Sequence, residues 1–117
     1  MVTSNATPNS WDVIIVPFPY SERLAEKRRP ALVVSGDKLH QDGFVWIVMI
    51  TGAGKPPRNG DLIIGDLAST GLPGASMVRT SKLATVEPDR ILRRTGNLAS
   101  GERANVSKAI QDFLAAG

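Results

Sequence analysis

From residue 12 onward the chain alternates between short β-branched or aliphatic runs and stretches dense in glycine, proline and charge. "DVIIVPF" (12–18) predicts a strand, and Pro17, with no N–H for a ladder, puts its end on an edge or a bulge. "PALVVS" (30–35) is a short aliphatic run bounded by Pro30 and Gly36. "FVWIVMIT" (44–51) is apolar on both parities, the mark of a central strand buried on both faces. "DLIIG" (61–65), "ASMVRTSKLATV" (75–86) and "ILRRTG" (91–96) predict three more, the second long enough to bend or break. The connections are turn-rich: "PYSERLAEKRR" (19–29), read as a flexible hairpin loop, "GAGKPPRNG" (52–60), a mobile basic loop, and "GDLASTGLPG" (65–74).

The period changes at the end. In "ASGERANVSKAIQDFLAAG", Val106, Ile110, Phe113 and Leu114 fall at i, i+4, i+7 and i+8, one face of a helix. Ser100 suits the N-cap, and Glu102 in the first turn suits the helix dipole. Five or six strands closed by one amphipathic helix predict a mainly β fold. A small sheet of this kind hides its edges by curling into a barrel.

Composition narrows the picture only a little. With 117 residues there is room for one modest core, so residues 11–117 are expected to form a single domain. "MVTSNATPNS" (1–10), without charge or an apolar block, is expected to be a disordered tail and not a signal peptide. No apolar run approaches the ~20 residues of a membrane helix. Cysteine is absent, which removes thiolate zinc sites and disulfides and fits the cytoplasm. The +3 net charge suits a polyanion partner without identifying one.

Candidate chemistry is reached by elimination. His40 is the only histidine, so a two-histidine ribonuclease mechanism is unsupported, and "DKLHQDG" reads as a solvated loop. Asp37, Asp42, Asp61 and Asp66 are scattered in turns, without metal-ligand spacing, and turn punctuation is the expected role of each. No metal or other cofactor is expected. "GAGKP" lacks the spacing of a phosphate loop. Arginine remains: a flat, permanently charged fork of donors that matches a phosphate group. Arg29 precedes Pro30, whose ring biases it toward extended backbone, so its side chain projects from the start of a strand. Thr51 ends the central strand and opens the basic loop, with a hydroxyl able to donate to a phosphate oxygen. Arg79 lies in a further strand. Read singly, each of these is equally a surface cation or a strand-ending residue.

Together the stretches resemble the MazF/PemK family of toxin endoribonucleases from type II toxin–antitoxin pairs, and the PemK-like branch in particular. The matching pieces run in order as "WDVIIVPFPYSE", "KRRPALVVS", "FVWIVMIT", "GLPGASMVRTSKLATVEPDRI" and "GNLASGERANVSKAIQDFL". The resemblance implies a small SH3-like, CcdB-like barrel with a C-terminal α-helix, acting as a homodimer. It implies metal-independent, sequence-specific cleavage of single-stranded RNA (an mRNA interferase), in which the ribose 2′-hydroxyl attacks the adjacent phosphate and leaves a 2′,3′-cyclic phosphate. An acidic antitoxin protein is the implied partner.

Carried over residue by residue, the family's arginine before proline matches Arg29, its strand-ending threonine Thr51, and the arginine of its V-R-C-D segment Arg79. These are the expected catalytic residues. Lys27, Arg28, Lys55, Arg58 and Ser81 are expected to bind RNA. Ser81 stands where that segment carries an aspartate proposed as base. Trp11 stands where the first strand usually opens with glycine, which alters the strand's start or adds a stacking surface. CcdB-type gyrase poisons share the fold and kill by binding a protein. A non-catalytic toxin of that kind, or an inactive toxin-fold binding protein, is therefore the alternative.

Overall fold

A computed structural model of the chain describes residues 7–19 and 27–116. Its strands are β1 (Asp12–Pro17), β2 (Arg28–Val33), β3 (Val45–Gly52), β4 (Asp61–Ile63), β5 (Ser76–Val86) and β6 (Arg93–Asn97). Helix α1 (Asp37–Gln41) links β2 to β3, and α2 (Ser100–Phe113) closes the chain. The strands form one antiparallel sheet in the order β4-β5-β3-β2-β1-β6. The strand predicted as central, β3, lies between β5 and β2. Most of the hairpin loop expected at 19–29, residues 20–26, lies outside the described residues, as do residues 1–6 of the expected tail; Asn9 and Ser10 are hydrogen-bonded to Asp12 and to the Ser35 carbonyl.

Alternate residues of a strand share a face, and so do residues paired across an antiparallel ladder. One face carries Ile14, Val16, Ala31, Val33, Val45, Ile47, Ala84 and Val86, which form a buried cluster with Phe18. The opposite face carries Val13, Leu32, Val48, Ile50 and Val78, covered by Leu98 and by Val106 of α2. The apolar stripe of α2 is narrower than its period suggests. Val106 is buried and Ile110 is half-buried against the sheet, but Phe113 is exposed, and Leu114, also exposed, lies past the helix end. Ala99, not Ser100, is the N-cap residue. Glu102 does more than meet the helix dipole: its carboxylate accepts the N–H groups of Gly65 (2.6 Å) and Asp66 (3.0 Å), tying the turn after β4 to the helix.

The barrel is the expectation that needs correction. The sheet does not close: among the described residues no ladder joins β4 to β6. Its edges are protected in other ways. β4 is only three residues long. A 3-10 turn at Ala68–Thr70 lies over the outer strand β6, where Thr95 Oγ1 donates to the Thr70 carbonyl at 2.8 Å. That approach is close enough that a Cβ on Gly96 would stand 2.3 Å from the Ser69 carbonyl oxygen. The two sheet ends are therefore bridged by a turn instead of by backbone pairing, which satisfies the same need to hide an edge.

Candidate active site

Arg29 and Thr51 come from neighbouring strands. The β2–β3 ladder pairs Ala31 with Met49 and Leu32 with Val48, then stops beside Pro30, which has no N–H to offer. Arg29 lies two residues before Ala31 and Thr51 two residues after Met49, so both occupy the face of the first cluster, at the same end of the sheet. Met49 pairs in turn with Arg79, which pairs with Asp61 on β4. Arg29, Thr51, Arg79 and Asp61 thus lie on one face across four adjacent strands. From ladder spacings, the Cα atoms of Arg29 and Arg79 are about 12 Å apart, with Thr51 between them.

Their surroundings differ. Arg29 is half-buried, and its guanidinium has no hydrogen bond or ion pair among the described residues. Thr51 is buried, 8% exposed, and its hydroxyl likewise makes no hydrogen bond among them. No described residue stands in the way of an external acceptor at either group. Arg79 is engaged. Its side chain is 7% exposed, and its Nε and Nη2 donate to Asp61 Oδ1 at 3.1 Å and Oδ2 at 2.9 Å.

Asp61 is the residue that the sequence reading placed wrongly, as turn punctuation. It heads a strand, and its carboxylate is 1% exposed. Burial pushes its pKa up, but the Arg79 hydrogen bond and the N–H of Arg58, with the charges of both arginines, outweigh burial and hold it below the usual carboxylate value. The same hydrogen bond, against burial, raises Arg79, which stays cationic.

The expected RNA-binding residues divide into groups. Lys27 and Arg28 are exposed at the start of β2, beside Arg29; Lys55 and Arg58 are exposed on the loop that leaves β3 after Thr51. Ser81 is exposed in a bulge of β5, where the register with β3 slips by three residues between Met49–Arg79 and Val48–Leu83. No carboxylate replaces the family's aspartate there. His40 is not in a solvated loop. It lies in α1, its Nε2 is 2.7 Å from Ser35 Oγ, and that oxygen also accepts the Trp46 N–H. Val34 donates to the Trp46 carbonyl, so this cluster sits at the end of β3 remote from Thr51, about 17 Å along the strand.

Trp11 adopts a φ of 72°, the left-handed region that glycine enters without strain. Its ring packs against the cluster beneath α2, on the face away from Arg29. On that face it adds no stacking surface to the arginine site.

A profile described as "PemK-like, MazF-like toxin of type II toxin-antitoxin system" matches residues 9–114. No curated protein sequence matches the chain. Solved structures do. The Mycobacterium tuberculosis toxin MazF-mt6 aligns over 86% of this chain and 93% of its own, with 19% identity and a TM-score of 0.68. A mycobacterial endoribonuclease in complex with its cognate antitoxin aligns over 90% and 92%, with 17% identity and a TM-score of 0.72. A MazE–MazF crystal structure from Deinococcus radiodurans aligns over 96% and 99%, with 16% identity and a TM-score of 0.70. At such identities the structural likeness speaks for the fold alone.

Proposed function

Because the chain belongs to the PemK-like, MazF-like toxins of type II toxin–antitoxin systems, we propose that it is an endoribonuclease of single-stranded RNA, neutralised by an acidic antitoxin. The observation that carries this reading is the pairing of the Arg29 guanidinium with the Thr51 hydroxyl on one face at the same end of neighbouring strands, neither of them engaged by a partner among the described residues. A fold maintained only for binding would have no need to hold a half-buried cation that no described residue neutralises, since desolvation without a partner is unfavourable.

Attack of a ribose 2′-hydroxyl on the adjacent phosphate gathers negative charge on the phosphoryl oxygens. Fixed cations stabilise that state more than the ground state, usually the largest catalytic contribution. Arg29 meets the non-bridging oxygens, Thr51 donates a further hydrogen bond, and Arg79 adds charge from the β5 side. A guanidinium is too poor an acid to serve as a proton donor near neutrality, so the role of the arginines is electrostatic. Among the described residues Ser81 is too weak a base, the Asp61 carboxylate is occupied and His40 is distant, so the 2′-hydroxyl proton passes to solvent; as the P–O5′ bond breaks, the leaving 5′-oxygen takes a proton from solvent. The result is a slow catalyst. In-line attack also requires a splayed nucleotide, which single strands permit and duplexes resist.

Lys27, Arg28, Lys55 and Arg58 flank this centre and take the phosphates of the bound strand. An antitoxin's acidic tail would compete for the same cations, which accounts for neutralisation. The toxin–antitoxin complexes among the structural relatives support that partner, and the family supports a homodimer acting in the cytoplasm, where mRNA is met. The test is incubation with single-stranded RNA in EDTA and analysis of the fragment ends. Cyclic-phosphate ends support the enzyme. Intact RNA together with gyrase inhibition would support a CcdB-like poison instead.

A further inference from the structure

Asp61 links two parts of this surface that the sequence keeps apart. Its Oδ2 accepts both Arg79 Nη2 (2.9 Å) and the backbone N–H of Arg58 (2.7 Å), and its own N–H donates to the Arg58 carbonyl at 3.0 Å. The basic loop is thereby closed onto the start of β4. One residue earlier, the Gly60 carbonyl accepts the Thr80 hydroxyl (2.7 Å) and the Thr80 N–H (3.3 Å), fixing the loop's end against the residue that follows Arg79. Gly60 itself has a φ of 85°, and a Cβ there would stand 2.5 Å from both Thr80 Oγ1 and the Phe113 ring. The loop's last turn is pinned at several points, and one carboxylate serves both the loop and the arginine.

We infer that Asp61 is a positioning residue, which fixes the direction of the Arg79 guanidinium and couples it to the conformation of the RNA-collecting loop 52–60. This rests on the nuclease reading. The chemistry follows from the geometry. Nε and Nη2 of Arg79 are spent on the carboxylate, which leaves Nη1, with no hydrogen bond among the described residues, as the donor for substrate. A fork held along one edge can rotate little, so its remaining donors point one way. An unanchored arginine would have to lose side-chain freedom at the moment of reaction, and a prepaid orientation lowers that barrier. The carboxylate also offsets part of Arg79's charge. Arg29 is therefore the stronger attractor of phosphate, while Arg79 acts through direction.

The test compares wild type, Asp61→Asn, Asp61→Glu, Arg79→Ala and the Asp61→Asn/Arg79→Ala double variant on one single-stranded oligonucleotide. Asp61→Asn is expected to lower kcat about thirtyfold with KM changed less than about threefold, and Asp61→Glu to recover part of the loss. The double variant is expected to be no slower than Arg79→Ala alone, because Asp61 acts only through Arg79. Wild-type kcat in Asp61→Asn, or losses that multiply in the double variant, would overturn the inference. A second measurement needs neither catalysis nor a stable variant. In the wild-type protein, NMR should find the Arg79 Nε–H slow to exchange with solvent; fast exchange would overturn the anchoring. If the wild type leaves RNA intact, the nuclease reading fails by itself, and the exchange rate still decides whether Asp61 fixes Arg79.

Discussion

Arg29 and Thr51 face the same side of the sheet from adjacent strands, and neither side chain is held by a hydrogen bond among the described residues. The β2–β3 pairing ends at Ala31, beside Pro30, which has no N–H, while Arg29 still pairs with Val16 of β1 and Thr51 with Met77 of β5. Thr51→Val keeps shape and volume while removing the donor. It should lower kcat about tenfold, the worth of one hydrogen bond to a charged group, with thermal stability unchanged or slightly raised because valine suits a strand. Undiminished turnover would remove Thr51 from the mechanism.

On the proposed nuclease function, the cations of the 52–60 loop are expected to act on phosphates, not on bases. Reversing Lys55 and Arg58 to glutamate should weaken binding to all single-stranded sequences alike and flatten the dependence of log K on log salt by about 1.4, roughly 0.7 for each lost phosphate contact. Arg58 holds Asp61 through its backbone N–H, so exchange of its side chain should leave that link in place. An altered cleavage motif at undiminished affinity would show that these residues read bases.

Acid should loosen the β4–β5 edge. The folded-state pKa of Asp61 lies below its unfolded value, so its contribution to stability is fully present above the unfolded carboxylate value of about 4 and is lost as pH falls through the folded pKa. The denaturant midpoint should therefore change little from Asp61 between pH 7 and pH 5 and fall below about pH 4. Asp61→Asn should be less stable at pH 7 and show a shallower fall. An equally steep acid limb in that variant would mean that other carboxylates govern it.

Strands were legible where residue type and backbone geometry agree. The β-branched runs at 12–18, 30–35, 44–51 and 75–86 each became a strand within a few residues, since side-chain shape and burial both favour extended chain there. Register was not legible, and Asp61 shows the cost. In sequence it is one acid among several beside glycine; only the pairing of β4 with β5 puts it opposite Arg79. Barrel closure was inferred from the need to hide edges, a need the structure meets with a three-residue strand and a covering turn. The five residues of α1 are too few to show a helical period, so His40 read as loop. Trp11 is the reverse case. The tryptophan adopts a left-handed φ that glycine enters without strain, at a cost of about 1–2 kcal/mol, while packing its ring beneath α2.

Arg29 is the residue on which the proposed activity depends most. Its most direct test is the rate at which Arg29→Ala and wild type cleave one defined single-stranded oligonucleotide in EDTA, with folding of both checked by circular dichroism and thermal melting. Loss of about 3 kcal/mol of transition-state stabilisation, at least a hundredfold in rate, is expected at unchanged fold. A variant that cuts within a few-fold of wild type would contradict the assignment of this site.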